Sequence, residues 1–166
     1  MFNVVLVEPE IPPNTGNVGR LCLATKSTLH LVKPFGFTLD DKQLKRAGLD
    51  YWDEVDVKTW DSFAQLQAAQ QKADAPQNLT ALSGQVPRAA RYFFLTTKAQ
   101  RPYFEVEFVP GDFLVFGRET KGLPEALLAA NREHCITIPM HGTRSLNLAT
   151  AVAIVLFEAV RQQTRE

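Results

Sequence analysis

A series of short runs, apolar at consecutive positions, constrains this chain most. Phe2 to Val7, Leu29 to Val32, Tyr92 to Thr97, Phe113 to Gly117 and Cys135 to Pro139 are the clearest. A strand with one wet face alternates apolar and polar residues. Runs that are apolar throughout belong to strands covered on both faces, as in a parallel sheet. Stretches of helical periodicity separate them. One helix is expected from near Asn14 through Ala24, another from about Asp61 through Ala69, and a third opening at Pro124. A last helix is expected from near Asn147 to about Gln162. Its apolar residues, from Leu148 through Val155 and Leu156 to Ala159, are widened by Ile154 and Phe157 into a face that needs cover on more than one side. The alternation predicts an α/β fold, a mostly parallel sheet flanked by helices, in one domain over 1–166.

Several classes of protein do not fit. The segment Met1 to Val7 has no basic flank and no small-residue cleavage site, so it reads as a first strand. No apolar run approaches the ~18 residues needed to span a bilayer, which points to a soluble, cytosolic chain. Cys22 and Cys135 are the two cysteines, far apart, and read as small buried hydrophobes in a reducing compartment. His30, His134 and His141 have no metal-ligand spacing, so no metal is expected. Lys plus Arg and Asp plus Glu both number 18, a net charge of zero that does not itself point to nucleic acid. Lys42, Lys45 and Arg46 nevertheless cluster in one short segment. The stretch from Asp74 to Ala90, with Pro76, Gly84 and Pro87, reads as a long surface insertion.

Three strand-to-helix turns carry the residues suited to chemistry. The first, Glu8 to Arg20, leads from the first strand into a helix that Asn14 or Thr15 is placed to cap. Gly16 and Gly19 each lower helix propensity by about 1 kcal/mol, so close approach by a ligand or another chain is expected there. There is no G-x-G-x-x-G, which removes a dinucleotide site. Arg20 presents a fork suited to phosphate. The second turn is Phe116 to Pro124, with Gly117 and Gly122 for tight turning and Glu119 as an acceptor for a sugar or an amine. The third is Ile138 to Leu148, in which Ser145 and Asn147 are both good helix caps. Ligands of parallel α/β proteins bind at the carboxyl ends of strands, so the three turns suggest one composite pocket. No Ser-His-Asp or Cys-His nucleophile arrangement is defensible. On these residues alone, a non-catalytic module binding a cofactor or RNA, and an α/β enzyme acting on a small molecule, both stay open.

The stretches VEPEIPPNTGNVGRLC, PFGF with DDKQLKRAGLDY, FFLTTK, FGRETKGLP and ITIPM followed by RSLNL cover most of the chain. Together they resemble the knotted SPOUT methyltransferases, and within them the small enzymes that methylate the ribose 2′-hydroxyl of the tRNA wobble cytidine or uridine. The resemblance implies a trefoil knot in the C-terminal half, S-adenosyl-L-methionine as cofactor, a homodimer, and the tRNA anticodon loop as partner. It implies catalytic roles for Asn14, Arg20, Glu119 and Asn147. Cofactor contacts are implied at Leu95, Gly117, Ile138 and Ser145, with Thr97, Met140 and Leu146 close by. Phosphate contacts to the RNA are expected from Arg20, Lys42, Lys45, Arg46 and Arg144. A side chain at Gly117 is expected to block the cofactor while leaving the fold intact.

Overall fold

The computed structural model describes residues 1–37, 51–74 and 89–164. The basic cluster Lys42, Lys45 and Arg46, and most of the expected insertion after Asp74, lie outside the described residues. The expected apolar runs form strands: β1 (Asn3–Val7), β2 (Thr28–Val32), β4 (Tyr92–Leu95), β5 (Phe113–Phe116) and β6 (Cys135–Ile136). A further strand, β3 (Val57–Trp60), was not expected. Its sequence VKTW has polar residues at its two middle positions, and all four of its residues are partly or fully exposed. Such a strand lacks the signature of a doubly covered one.

The sheet order is β3-β2-β1-β5-β4-β6. Every described strand pair in it is parallel. Parity along the strands explains the consecutive apolar runs. Val4 and Leu6 of β1 face one core cluster, while Val5 and Val7 face another. The first cluster lies beneath α1 (Pro12–Thr25) and α4 (Leu148–Gln163), which add Val18, Cys22, Val152, Val155 and Leu156. The second is covered by Leu66 of α2 (Phe63–Asp74) and Leu128 of α3 (Glu125–Ala130). Helices therefore cover both faces of the sheet. Cys22 is buried in the first cluster, and that burial pushes its thiol up to about 12, as befits a packing residue rather than a nucleophile.

The helix ends differ from expectation in instructive ways. Helix α1 begins two residues before Asn14, with Pro in its first turn, and its N-cap residue Ile11 supplies no side-chain acceptor. Pro124 stands at the N-cap of α3 rather than inside it. Asn147 caps α4 as expected, its Oδ1 accepting from the backbone N–H groups of Ala149 at 2.9 Å and Thr150 at 3.3 Å. Among the described residues no helix is long and apolar enough to cross a membrane, and no cluster of His, Cys, Asp and Glu is placed to hold a metal.

Candidate active site

Strands β1, β5, β4 and β6 are neighbours along the sheet, and the segments leaving their carboxyl ends converge. They enclose a cavity of about 500 Å³, within the range of small-molecule sites. Leu95 and Thr97 enter it from the end of β4, Gly117 and Glu119 from β5, and Asn14 from the helix after β1. Ile138, Met140, Arg144, Ser145, Leu146 and Asn147 line it from the segment that joins β6 to α4. The sequence did not single out Ile11, Thr96, Lys98 or Lys121, which also line it. Arg20 does not. It lies on the exposed side of α1 with its guanidinium 4.5 Å from the centre of the Tyr51 ring, a cation–π contact that orients the fork.

A chain of hydrogen bonds joins the three turns. Asn147 donates from Nδ2 to Oδ1 of Asn14 at 2.9 Å, and Asn14 donates from its own Nδ2 to Oε1 of Glu119 at 3.2 Å. Both amide orientations follow from the ends of the chain. Backbone donors at the start of α4 require the oxygen of Asn147, which turns its nitrogen toward Asn14, and the carboxylate requires the nitrogen of Asn14.

Glu119 also accepts from the backbone N–H groups of Glu10 at 2.9 Å and Ile11 at 3.2 Å. Helix α1 has neither a capping side chain nor an acidic residue in its first turn. Glu119 thus brings negative charge to that N-terminus from a distant segment. Its two oxygens accept from three donors of the chain, so the expected acceptor for a sugar or amine is engaged within the protein. Glu10 answers in the other direction. Its carboxylate accepts from the hydroxyl of Thr120 at 2.8 Å and 3.0 Å and from the Thr120 N–H at 3.1 Å. The Thr120 hydroxyl, followed by its amide, holds the Glu10 carboxyl below the usual carboxylate range despite some desolvation. Arg118 completes the contact through a 2.7 Å ion pair with Glu8. Glu8 sits at φ 54° just before Pro9, a left-handed conformation that side chains disfavour and that proline disfavours further.

The glycines answer to the chain itself. A Cβ on Gly19 would lie 2.7 Å from Cζ3 of Trp52, and the carbonyl of Gly16 accepts from the Tyr51 hydroxyl at 3.1 Å. The close approach expected at Gly19 is therefore made by Trp52, while Gly16 meets Tyr51 through its carbonyl. A Cβ on Gly117 would lie 2.1 Å from the carbonyl carbon of Gly122 and 2.2 Å from the nitrogen of Leu123. A side chain there displaces the turn itself, so the expectation that it would spare the local fold is corrected.

Comparison with known proteins bears on this geometry. The model of the SpoU rRNA methylase family matches residues 1–157. A tRNA (cytidine(34)-2′-O)-methyltransferase of Burkholderia ambifaria is 46% identical, over 98% of this chain and 96% of that protein. A solved structure concerned with 2-OH methylation of C/U34 on tRNA superposes with a TM-score of 0.84 at 44% identity, covering 100% of this chain and 98% of its own. The SpoU methyltransferase AviRb of Streptomyces viridochromogenes, solved with AdoMet, gives a TM-score of 0.81 at 23% identity over 98% of this chain and 58% of its own. That last likeness bears on the fold, and the parallel sheet flanked by helices is consistent with the α/β knot that the sequence resemblance implies.

Proposed function

We propose, for a chain that belongs to the SpoU rRNA methylase family, that it transfers a methyl group from S-adenosylmethionine to the ribose 2′-oxygen of the wobble cytidine or uridine of tRNA. The convergence of the three turns on one cavity, joined through Asn14, carries this reading. The relatives named for that activity match over nearly their whole length. The residues fit the cofactor. Leu95, Ile138 and Leu146 offer apolar walls for a flat base, and the hydroxyls of Thr97 and Ser145 offer polar partners beside them. When bound, S-adenosylmethionine supplies an electrophilic methyl on a sulfonium.

The chain's own work is then alignment and charge. Holding two reactants in line contributes about 7–11 kcal/mol to such a reaction. Glu119, Asn14 and Asn147 act here by fixing the turns relative to one another, through the bonds they make to one another and to backbone. Arg20 is assigned to the phosphate beside the acceptor ribose and to the developing alkoxide charge. A guanidinium has five donors and no acceptor, which suits that role better than proton removal. Arg144 lines the cavity with no hydrogen bond or ion pair among the described residues and is assigned to a second phosphate. Lys42, Lys45 and Arg46 are assigned to the same RNA backbone.

Arg20 lies outside its own chain's cavity, and this favours a homodimer in which it serves the partner's site. The surface for it is the outer face of α4, where Phe157 is 47% exposed, together with Ile11, 42% exposed, at the start of α1. A monomer by light scattering at micromolar concentration contradicts the dimer. The activity is tested by titrating the protein with S-adenosylhomocysteine and then supplying labelled cofactor and bulk tRNA. Binding followed by label in tRNA is expected. Binding without transfer favours a non-catalytic module, and absence of binding overturns the reading.

A further inference from the structure

The exit turn of β5 and the entry to α1 grip each other twice, through two carboxylates pointing in opposite directions. Glu119 holds the backbone of Glu10 and Ile11, and Glu10 holds the backbone and hydroxyl of Thr120. The partners are 108 to 110 residues apart in sequence. The Glu10 half of this clasp is not needed to cap the helix, because the first N–H groups of α1, those of Asn14 and Thr15, donate to the Ile11 carbonyl, and Glu119 holds the two N–H groups just before the helix. It is not needed for the core either, since Thr120 is exposed and Glu10 half-buried. Its one evident consequence is to lock the segment carrying Asn14 and Arg20 onto the turn carrying Gly117. The strained backbone at Glu8 fits this account. Conformations of that kind cost roughly 1–3 kcal/mol and persist where their surroundings over-determine them. Here the surroundings are the Arg118 ion pair on one side of Pro9 and the Glu10 clasp on the other.

We propose that Glu10 and Thr120 form a positioning pair for methyl transfer, fixing the first turn, whose Arg20 serves the acceptor in the partner's site, to the second turn, which holds the cofactor in its own, so that in the symmetric dimer the pair sets how the two meet. The inference rests on the methyl-transfer reading of the site. Glu10 does not line the cavity, and Thr120, which does, commits its hydroxyl and amide to Glu10. Loss of the pair therefore lowers the rate of the aligned step and leaves cofactor affinity unchanged.

The test uses the full chain with labelled cofactor and tRNA, and compares Glu10→Gln, Thr120→Val and Thr120→Ser with the unaltered protein. Glu10→Gln keeps the shape but offers one acceptor oxygen in place of two. Thr120→Val removes the hydroxyl at constant volume, and Thr120→Ser restores it. We expect kcat to fall about tenfold or more in the first two, with KM for tRNA and the Kd for S-adenosylhomocysteine within about twofold of the original. Thr120→Ser should recover most of the rate. Amide exchange of the segments 8–14 and 117–123 should accelerate together in Glu10→Gln. Unchanged kcat in both Glu10→Gln and Thr120→Val overturns the proposal. So does a fall in melting temperature with kcat per folded molecule intact, which would make the pair structural only. If the unaltered protein itself transfers no label, the reading of the site fails and takes the proposal with it, an outcome distinct from equal transfer by all variants.

Discussion

Asn147 hands the first motif its orientation: its Nδ2 donates to Oδ1 of Asn14 at 2.9 Å, across 133 residues of sequence. The same side chain caps α4 through its oxygen. One amide therefore performs two tasks with its two ends, and two substitutions separate them.

Asn147→Ala loses both tasks. We predict a destabilisation of about 1 kcal/mol from the missing cap, read as a drop of roughly 2–4 °C in melting temperature, together with loss of methyl transfer. Asn147→Asp keeps an oxygen for the helix N-terminus but turns an acceptor toward the oxygen of Asn14. It should melt close to the unaltered protein and still transfer at least tenfold more slowly. Equal activity of the Asp variant would show that the bond to Asn14 has no part in the reaction.

Gly19→Ala sets two known effects against each other. Alanine favours a helix interior over glycine by about 1 kcal/mol. The added methyl, however, lands 2.7 Å from a ring carbon of Trp52, which is 9% exposed and packed in the core. Overpacking of this kind costs about 1–3 kcal/mol. We predict a net loss of stability in urea unfolding. A gain would mean that the Tyr51–Trp52 segment yields easily.

His30 gives the fold a pH signature. It is fully buried, its Nδ1 accepts from Nε1 of Trp60 at 3.0 Å, and its Nε2 lies 3.1 Å from Oδ1 of Asn3. That pairing requires the neutral ring protonated at Nε2. Burial, reinforced by the Lys58 charge and opposed by Asp56, pushes it down to about 4 from 6.5. Above pH 6.5 the ring is neutral both folded and unfolded, so its contribution is complete there. As pH falls from 6.5 toward 4 the unfolded chain takes up a proton that the folded one refuses, and stability is lost by roughly 3 kcal/mol before levelling off. His30→Gln keeps one donor and one acceptor without a titrating group. Its stability should depend less on pH in that window, and an unchanged slope would refute the assignment.

The alternation of buried runs and helices was legible because a doubly covered strand is apolar at nearly every position, and β1 with Val4, Val5, Leu6 and Val7 shows it directly. Strand β3 escaped because VKTW is half exposed, a pattern shared with ordinary surface segments. The motifs around Asn14, Gly117 and Ser145 marked the cavity, since strand-end turns are where such sites form. What did not show in sequence was the pairing of residues. Nothing in the spacing of Glu10 and Thr120 says that one accepts from the other. The glycines pointed to close approach, but local pattern does not say whether a ligand or the chain's own Trp52 or Leu123 makes it. The position of Arg20 away from its own cavity is likewise a matter of tertiary geometry.

Arg20→Lys distinguishes binding from proton removal. Lysine keeps the charge and loses the planar fork. On the present account kcat falls at least tenfold and the pH–rate profile stays where it was. A lysine variant at full rate, with its profile moved to lower pH, would make this residue the base.

The most direct test is to map the methyl group. Purified protein is incubated with labelled S-adenosylmethionine and native tRNA lacking only this modification, and the product is digested and sequenced by mass spectrometry. The account predicts label on the ribose of the wobble nucleotide. Label on a base, or on a ribose outside the anticodon loop, would contradict the wobble assignment, and no label at all would contradict the methyl-transfer reading itself.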